Sequence, residues 1–286
     1  MLGTDLSQEL YHDHKVFGAD VIRRSSLAIS GFYKLDITKK QNVLAVIKNL
    51  NPDIVIHAAA WTDVDGCELD PERATLVNDV GTGHVVLACQ QVNAIMVYVS
   101  TDFVFDGQAE RPYKEVDLPA PLNVYGATKL AGEQRVAGGL GRYYIVRTAW
   151  LFGRHGHNFV KTILRLADER EELPVVNDQT GSPTYAKDLA RQIVELIETD
   201  EFGLYHIVND GHTTWCDFAR EILAAAGKEA VVVVPIASAE LNRPARRPRN
   251  SVLSSCRLPR LGLDKMRHYS SALSEYISEL DRSDLG

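Results

Sequence analysis

Two hydrophobic rhythms alternate along this chain. Residues 53–58, Asp-Ile-Val-Ile-His-Ala, and 94–100, Ala-Ile-Met-Val-Tyr-Val-Ser, form near-continuous apolar runs. Such runs fit strands covered on both faces of a sheet. Residues 15–19 and 143–147 read as two further strands. Between them the apolar positions fall at helical spacing. The pattern predicts a helix over 38–50, with Thr38 and Gln41 in capping-box spacing. It predicts a longer one to about residue 92, with Asp70 as N-cap and Pro71 in the first position. A loop through Pro112, Pro119 and Pro121 then leads to a helix carrying Tyr125 and Lys129. Strands alternating with helices at this spacing predict an α/β fold built on a doubly wound parallel sheet.

After about Phe152 the pattern loosens. Helices are expected at 158–168, 185–198, 214–226 and 271–280, and short strands near 173–176, 204–208 and 231–234. Pro and Arg cluster over 243–249. The expected division is a Rossmann-like dinucleotide-binding domain over 1–150, and a mixed region over 151–286 that finishes the sheet and forms a smaller substrate lobe. A dinucleotide fold normally opens with a strand, a glycine-rich turn and a helix whose N-terminus faces the pyrophosphate. Here Met1-Leu2-Gly3-Thr4-Asp5-Leu6 already reads as that helix, with Gly3 as the last glycine of the turn. The expectation is a Rossmann-like sheet lacking its first strand, with about ten residues absent.

Composition adds only exclusions. With 286 residues, 45% hydrophobic and 24% charged, the chain is an ordinary globule. A formal charge of -7 argues against nucleic acid as a partner. No apolar run is long enough to span a membrane. Cys67, Cys89, Cys216 and Cys256 are scattered, as expected of reduced thiols in a cytoplasmic protein. His155, His157 and His212 lack metal-ligand spacing, so no metal site is expected.

The candidate chemistry lies in Tyr125-Gly126-Ala127-Thr128-Lys129. On a helix, a phenol and an ammonium four residues apart sit one above the other. Upstream, the strand at 94–100 ends at Ser100 and Thr101. A hydroxyl, a phenol and a lysine together can deliver a proton to a carbonyl that receives hydride. Side chains alternate along a strand, so Ser100 and Thr101 cannot both point into the site unless the strand has ended.

Further segments carry a family resemblance: Leu35-Asp36-Ile37-Thr38, Ala58-Ala59-Ala60-Trp61-Thr62-Asp63-Val64-Asp65, Val77-Asn78 and Ser100-Thr101-Asp102-Phe103-Val104-Phe105-Asp106-Gly107. Pro121-Leu122-Asn123-Val124-Tyr125, Arg147-Thr148-Ala149-Trp150, Asn177-Asp178-Gln179-Thr180-Gly181 and Arg246-Arg247-Pro248-Arg249 continue it in order. The chain resembles the extended short-chain dehydrogenase/reductases and, within them, the dTDP-4-dehydrorhamnose reductases. It departs from their pattern at the shortened glycine turn and at Phe103, where Tyr is frequent.

The resemblance implies reduction of the C4 keto group of dTDP-4-dehydro-L-rhamnose by NADPH or NADH, in a monomer or homodimer. Tyr125 would donate the proton, Lys129 would favour the phenolate and reach the nicotinamide ribose, and Thr101 would hold the carbonyl oxygen. Gly3, Arg23, Asp36, Ile37, Ala58, Ala59, Ala60 and Asn78, with Tyr125 and Lys129, would meet the cofactor. Thr62, Thr101, Phe103, Trp150 and Arg246 would meet the nucleotide sugar, Trp150 by stacking or as a core residue. Arg23, Arg24 and Ser25 lean toward a 2′-phosphate, whereas Asp20 would suit a free 2′-hydroxyl. Dehydratases of this superfamily place Asp-Glu after the Thr, and the Glu is missing here. A related epimerase and a non-catalytic regulatory subunit of methionine adenosyltransferase remain alternatives.

Overall fold

The computed structural model describes residues 1–23, 27–263 and 266–280. Its central element is a four-stranded parallel sheet in the order β10-β5-β4-β3. These strands are β3 (Ile54–His57), β4 (Ile95–Thr101), β5 (Tyr143–Thr148) and β10 (Gly203–His206). The register sets Thr101 at the end of β4 opposite Thr148 of β5. A separate parallel pair, β1 (Phe17–Asp20) and β2 (Gly31–Lys34), is not hydrogen-bonded to the larger sheet among the described residues.

Helices cover both faces, as the continuous apolar runs require. Ile54, Ile56, Val97, Val99, Tyr144 and Val146 pack on one face against Leu2, Leu6 and Leu10 of α1 (Leu2–Leu10) and Leu189 and Ile193 of α8 (Ala186–Ile197). The alternate residues Val55, Met96, Tyr98 and Ile145 face α2 (Lys40–Leu50), α5 (Thr82–Val92) and α6 (Val124–Gly139). Strand periodicity thus sorts neighbouring residues into two cores.

The predicted long helix is present, but its middle is wound differently. Asp70 accepts a hydrogen bond from Arg73 N and starts α4 (Pro71–Ala74). A π-helical stretch over Thr75–Gly81 joins α4 to α5. Helix α2 begins two residues later than expected, at Lys40, and its N-cap Lys39 makes no side-chain bond. The expected Thr38 capping box is absent because the helix starts later and leaves Lys39 at the cap position, while Thr38 donates its amide and hydroxyl to Asp36 Oδ1.

Beyond β5 lie β6 (Leu151–Phe152), α7 (Phe159–Glu169), β7 (Glu172–Val176), β8 (Thr180–Gly181) and β9 (Thr184–Tyr185). After β10 come β11 (Thr213–Thr214), α9 (Trp215–Ala225), β12 (Val232–Ile236) and α10 (Tyr269–Ser278). A second core joins α7, α9 and α10 to the parallel pair β7–β12, with Phe152, Phe218, Leu173 and Tyr276 fully buried. No helix among the described residues is long and apolar enough to cross a membrane.

Candidate active site

The carboxyl end of β4 and the first turns of α6 meet at close range. Asn123 caps α6 by accepting from Gly126 N at 2.8 Å. Two glycines then let the helix approach. A Cβ on Gly126 would lie 2.1 Å from the Phe103 carbonyl oxygen, and one on Gly132 would lie 2.3 Å from the Tyr98 hydroxyl. Bulkier residues would hold α6 off the strand, and Tyr125 and Lys129 with it.

Tyr125 lies partly buried, edge-on to Phe103 with ring centroids 5.9 Å apart. Burial pushes its phenol well above the ordinary tyrosine range, the adjacent Thr101 hydroxyl opposes this, and Asp102 and Cys67 add to it. Tyr125 is therefore protonated, as a proton donor must be. Lys129 is buried, with Nζ donating to Val99 O at 2.8 Å and lying 4.1 Å from the Tyr98 ring centroid. Burial pulls its ammonium down to about 7, while Glu133 one turn on works the other way.

The two hydroxyls at the end of β4 diverge. Thr101 Oγ1 lies 2.9 Å from Asp102 Oδ1 and accepts from Phe103 N at 3.2 Å. Ser100 faces away and donates to Glu133 Oε1 at 2.5 Å. Glu133 in turn holds Arg147 of β5 through two bonds of 2.9 and 2.7 Å, with both side chains almost fully buried. Strand alternation thus assigns Thr101 to the Tyr125 side and Ser100 to a structural ion pair.

The predicted cofactor residues fall on several elements. Ala58 and Ala59, just past β3, are exposed, and Ala60 is half-buried. The loop that follows is pinned by Asn78, whose Oδ1 accepts from Trp61 N. Asn78 Nδ2 donates to Trp61 O and to Thr128 Oγ1 of α6. This buried amide ties the alanine loop to the helix that carries Tyr125 and Lys129. Ile37 packs against Gly81 at the end of the π-helical stretch. Asp36 lies nearby in sequence, held below the usual carboxylate range by the Thr38 hydroxyl and amide. Gly3 is exposed, in the first turn of α1. Arg23 is exposed, 5.9 Å from the Phe32 ring, and Asp20 accepts from Ile22 N. Arg24 and Ser25 lie outside the described residues.

The predicted substrate residues are less uniform. Thr62 is exposed in the loop before α3 (Val64–Leu69), which Asp63 caps. Arg246 is exposed, and its carbonyl accepts from Asn123 Nδ2 at 2.7 Å. The neighbouring Arg247 is committed to Asp65 through two bonds of 2.9 and 2.8 Å. Asp65 is thus a latch for the arginine segment. Trp150 has φ +45°, an uncommon backbone for a bulky residue. Its ring stacks on Trp215 at 3.4 Å and 5°, and its other side lies against Gly181, where a Cβ would come within 2.2 Å. Of the two expected roles, the stack on Trp215 and the close approach of Gly181 fit that of a packed residue.

Sequence reasoning missed Asp102, Glu133, Arg147, Trp215 and the second duty of Asn123. Asn123 carried a legible signal, an Asn directly before a helix. Glu133, Arg147 and Trp215 are recognised only through partners distant in the chain, and Asp102 only through its burial.

The profile of the family described as the RmlD substrate binding domain matches residues 1–282. The dTDP-4-dehydrorhamnose reductase of Streptomyces griseus is 41% identical over 264 residues, covering 90% of this chain and 87% of that protein. The enzyme of that name from Escherichia coli strain K12 is 42% identical over 233 residues, covering 77% of each chain. Among solved structures, dTDP-4-dehydrorhamnose reductase from Bacillus anthracis in complex with NADP superposes with a TM-score of 0.87. It is 39% identical, and the match covers 98% of this chain and 97% of that one.

Proposed function

This chain belongs to the family described as the RmlD substrate binding domain, and from that membership we infer that it catalyses NAD(P)H-dependent reduction of the C4 keto group of dTDP-4-dehydro-L-rhamnose, giving dTDP-L-rhamnose. The carrying observation is the meeting of Thr101 and Tyr125 where β4 ends against α6. The nicotinamide supplies the hydride when bound. Tyr125 gives its proton to the C4 oxygen, and Thr101 holds that oxygen in line by a hydrogen bond. Lys129 in its charged form favours the phenolate left behind.

The residues fit a dinucleotide. Ala58 and Ala59 form a small-side-chain shelf at the carboxyl end of β3, where the cofactor of a parallel sheet lies. Asp36 and Ile37 suit the adenine end, and Arg23 suits a 2′-phosphate, which favours NADPH. Gly3 sits in the first turn of α1, where the amides of a helix N-terminus suit the pyrophosphate.

Residues 1–150 form the cofactor half in this reading. Residues 151–286 complete the sheet through β10 and provide the sugar-nucleotide lobe. Thr62, Phe103 and the edge of Trp150 bound the sugar, and Arg246 meets the diphosphate. The working form is a monomer or homodimer in the cytoplasm.

The test is oxidation of NADPH and NADH with dTDP-4-dehydro-L-rhamnose, with Tyr125→Phe as control. A fall of about a hundredfold or more in kcat is expected on loss of the proton donor. Unchanged turnover in Tyr125→Phe would refute the assigned proton path.

A further inference from the structure

Thr101 carries one hydroxyl proton, and the structure offers two claims on it. The Oγ1 atom accepts from Phe103 N at 3.2 Å and lies 2.9 Å from Asp102 Oδ1. An ionised Asp102 is an acceptor only. It would take the Thr101 proton and leave Thr101 nothing to donate to a substrate oxygen. A protonated Asp102 reverses that bond. Its O–H then donates to Thr101 Oγ1, the two lone pairs of Thr101 are filled by Phe103 N–H and Asp102 O–H, and the threonine proton points outward.

The surroundings of Asp102 suit the protonated form. The residue is 3% exposed. Its second oxygen, Oδ2, is fully buried without a formed hydrogen bond among the described residues, the nearby Ser251 hydroxyl not closing on it. A carboxylate oxygen left bare in this way is costly, whereas the carbonyl oxygen of a neutral acid costs much less. We propose that Asp102 is a positioning residue of the reductase site, working as a neutral acid that donates to Thr101 Oγ1 and so turns the Thr101 proton toward the substrate carbonyl.

Burial moves Asp102 the same way, pushing its carboxyl up to about 6 against the opposing Ser251 and Thr101 hydroxyls. The Tyr125 phenol on α6 faces the same group and is itself pushed up by it. A bound nucleotide sugar would exclude more water and favour the neutral acid further. The assignment rests on the reductase reading, because it gives Thr101 a substrate oxygen to meet.

Two variants and a spectrum test it. In Asp102→Asn the amide N–H₂ can donate to Thr101 as the acid would, with the amide oxygen in place of the bare one. This variant should keep kcat/KM within about threefold of the parent, whereas Asp102→Ala should lose about a hundredfold, the scale of one lost oxyanion donor. Thr101→Val should be as impaired as Asp102→Ala. Infrared difference spectra of parent minus Asp102→Asn, taken at the pH of the activity assay with the nucleotide sugar bound, should show a protonated carboxyl C=O band at Asp102. That band is read without turnover. Loss of activity in Asp102→Asn equal to that in Asp102→Ala, or absence of the band, overturns the neutral-donor assignment. Full activity in Thr101→Val instead overturns the role of Thr101 itself, and with it the reading beneath.

Discussion

Gly126 and the Phe103 carbonyl are in such close contact that a Cβ on Gly126 would stand 2.1 Å from that oxygen. The obstacle is backbone, so it cannot rotate aside as a side chain would. Gly126→Ala should therefore push the first turn of α6 away from β4. Overpacking of this kind costs about 1–3 kcal/mol. The larger effect should be on turnover, because displacing a catalytic group by about 1 Å can cost about a hundredfold. Thermal unfolding and steady-state kinetics on one preparation check the prediction: folded protein with a collapsed kcat is the expected pairing.

Lys129 gives pH dependence to both stability and rate. Its folded-state value is lowered from 10.5 to about 7 by burial. A base lowered in this way destabilises the fold at low pH, where the buried ammonium must stay charged. The penalty is complete below about 7 and is relieved as pH rises toward 10.5. Lys129→Met should therefore be more stable than the parent at pH below 7, with the gap closing as pH rises, in urea unfolding measured across that range. With the role proposed for Lys129, activity should run the other way: kcat/KM falls as pH rises through about 7 and the ammonium charge is lost.

Glu133 and Arg147 form a buried pair with side chains 5% and 3% exposed. Removing one partner leaves the other charged and unpaired. Glu133→Leu or Arg147→Met alone should cost about 3–5 kcal/mol, and the double variant less than the sum of the two. Chemical unfolding of the four proteins in a double-mutant cycle gives the coupling directly. Additive losses would mean that the pair is not coupled in solution.

Trp215 supports Trp150 from one face, and Gly181 packs close against the same indole. Trp215→Ala should free the Trp150 ring, raise KM for the nucleotide sugar about tenfold and leave kcat within about threefold, since the chemical groups are untouched. The stacked indoles should also give an exciton couplet in circular dichroism that disappears in this variant. Trp215→Phe, which keeps a stacking face, should recover most of the KM.

Much of the order of elements was legible in the chain because strand and helix periodicities are local. The runs at 53–58 and 94–100 became β3 and β4, and Asp70-Pro71 opened a helix where cap chemistry said it would. Strand β2 escaped notice because Gly31–Lys34 is short, with only Phe and Tyr to mark it. The Thr38 cap failed because the helix starts at Lys40, which leaves Thr38 one residue short of the cap position in a turn closed by Asp36.

By itself, the sequence determined the spacing of Tyr125 and Lys129 on one helix, the strand ending in Ser100 and Thr101, and the α/β alternation that brings such groups to one edge of a sheet. All of these follow from bonds and contacts a few residues apart. Tertiary structure alone decided which hydroxyl faces the phenol, that Asp65 latches Arg247, that Trp150 stacks on Trp215, and that Asp102 is buried. The physical reason is the same in each case: burial and hydrogen-bond partnership depend on atoms that lie distant in sequence, and a side chain's charge and direction are set only once those atoms surround it.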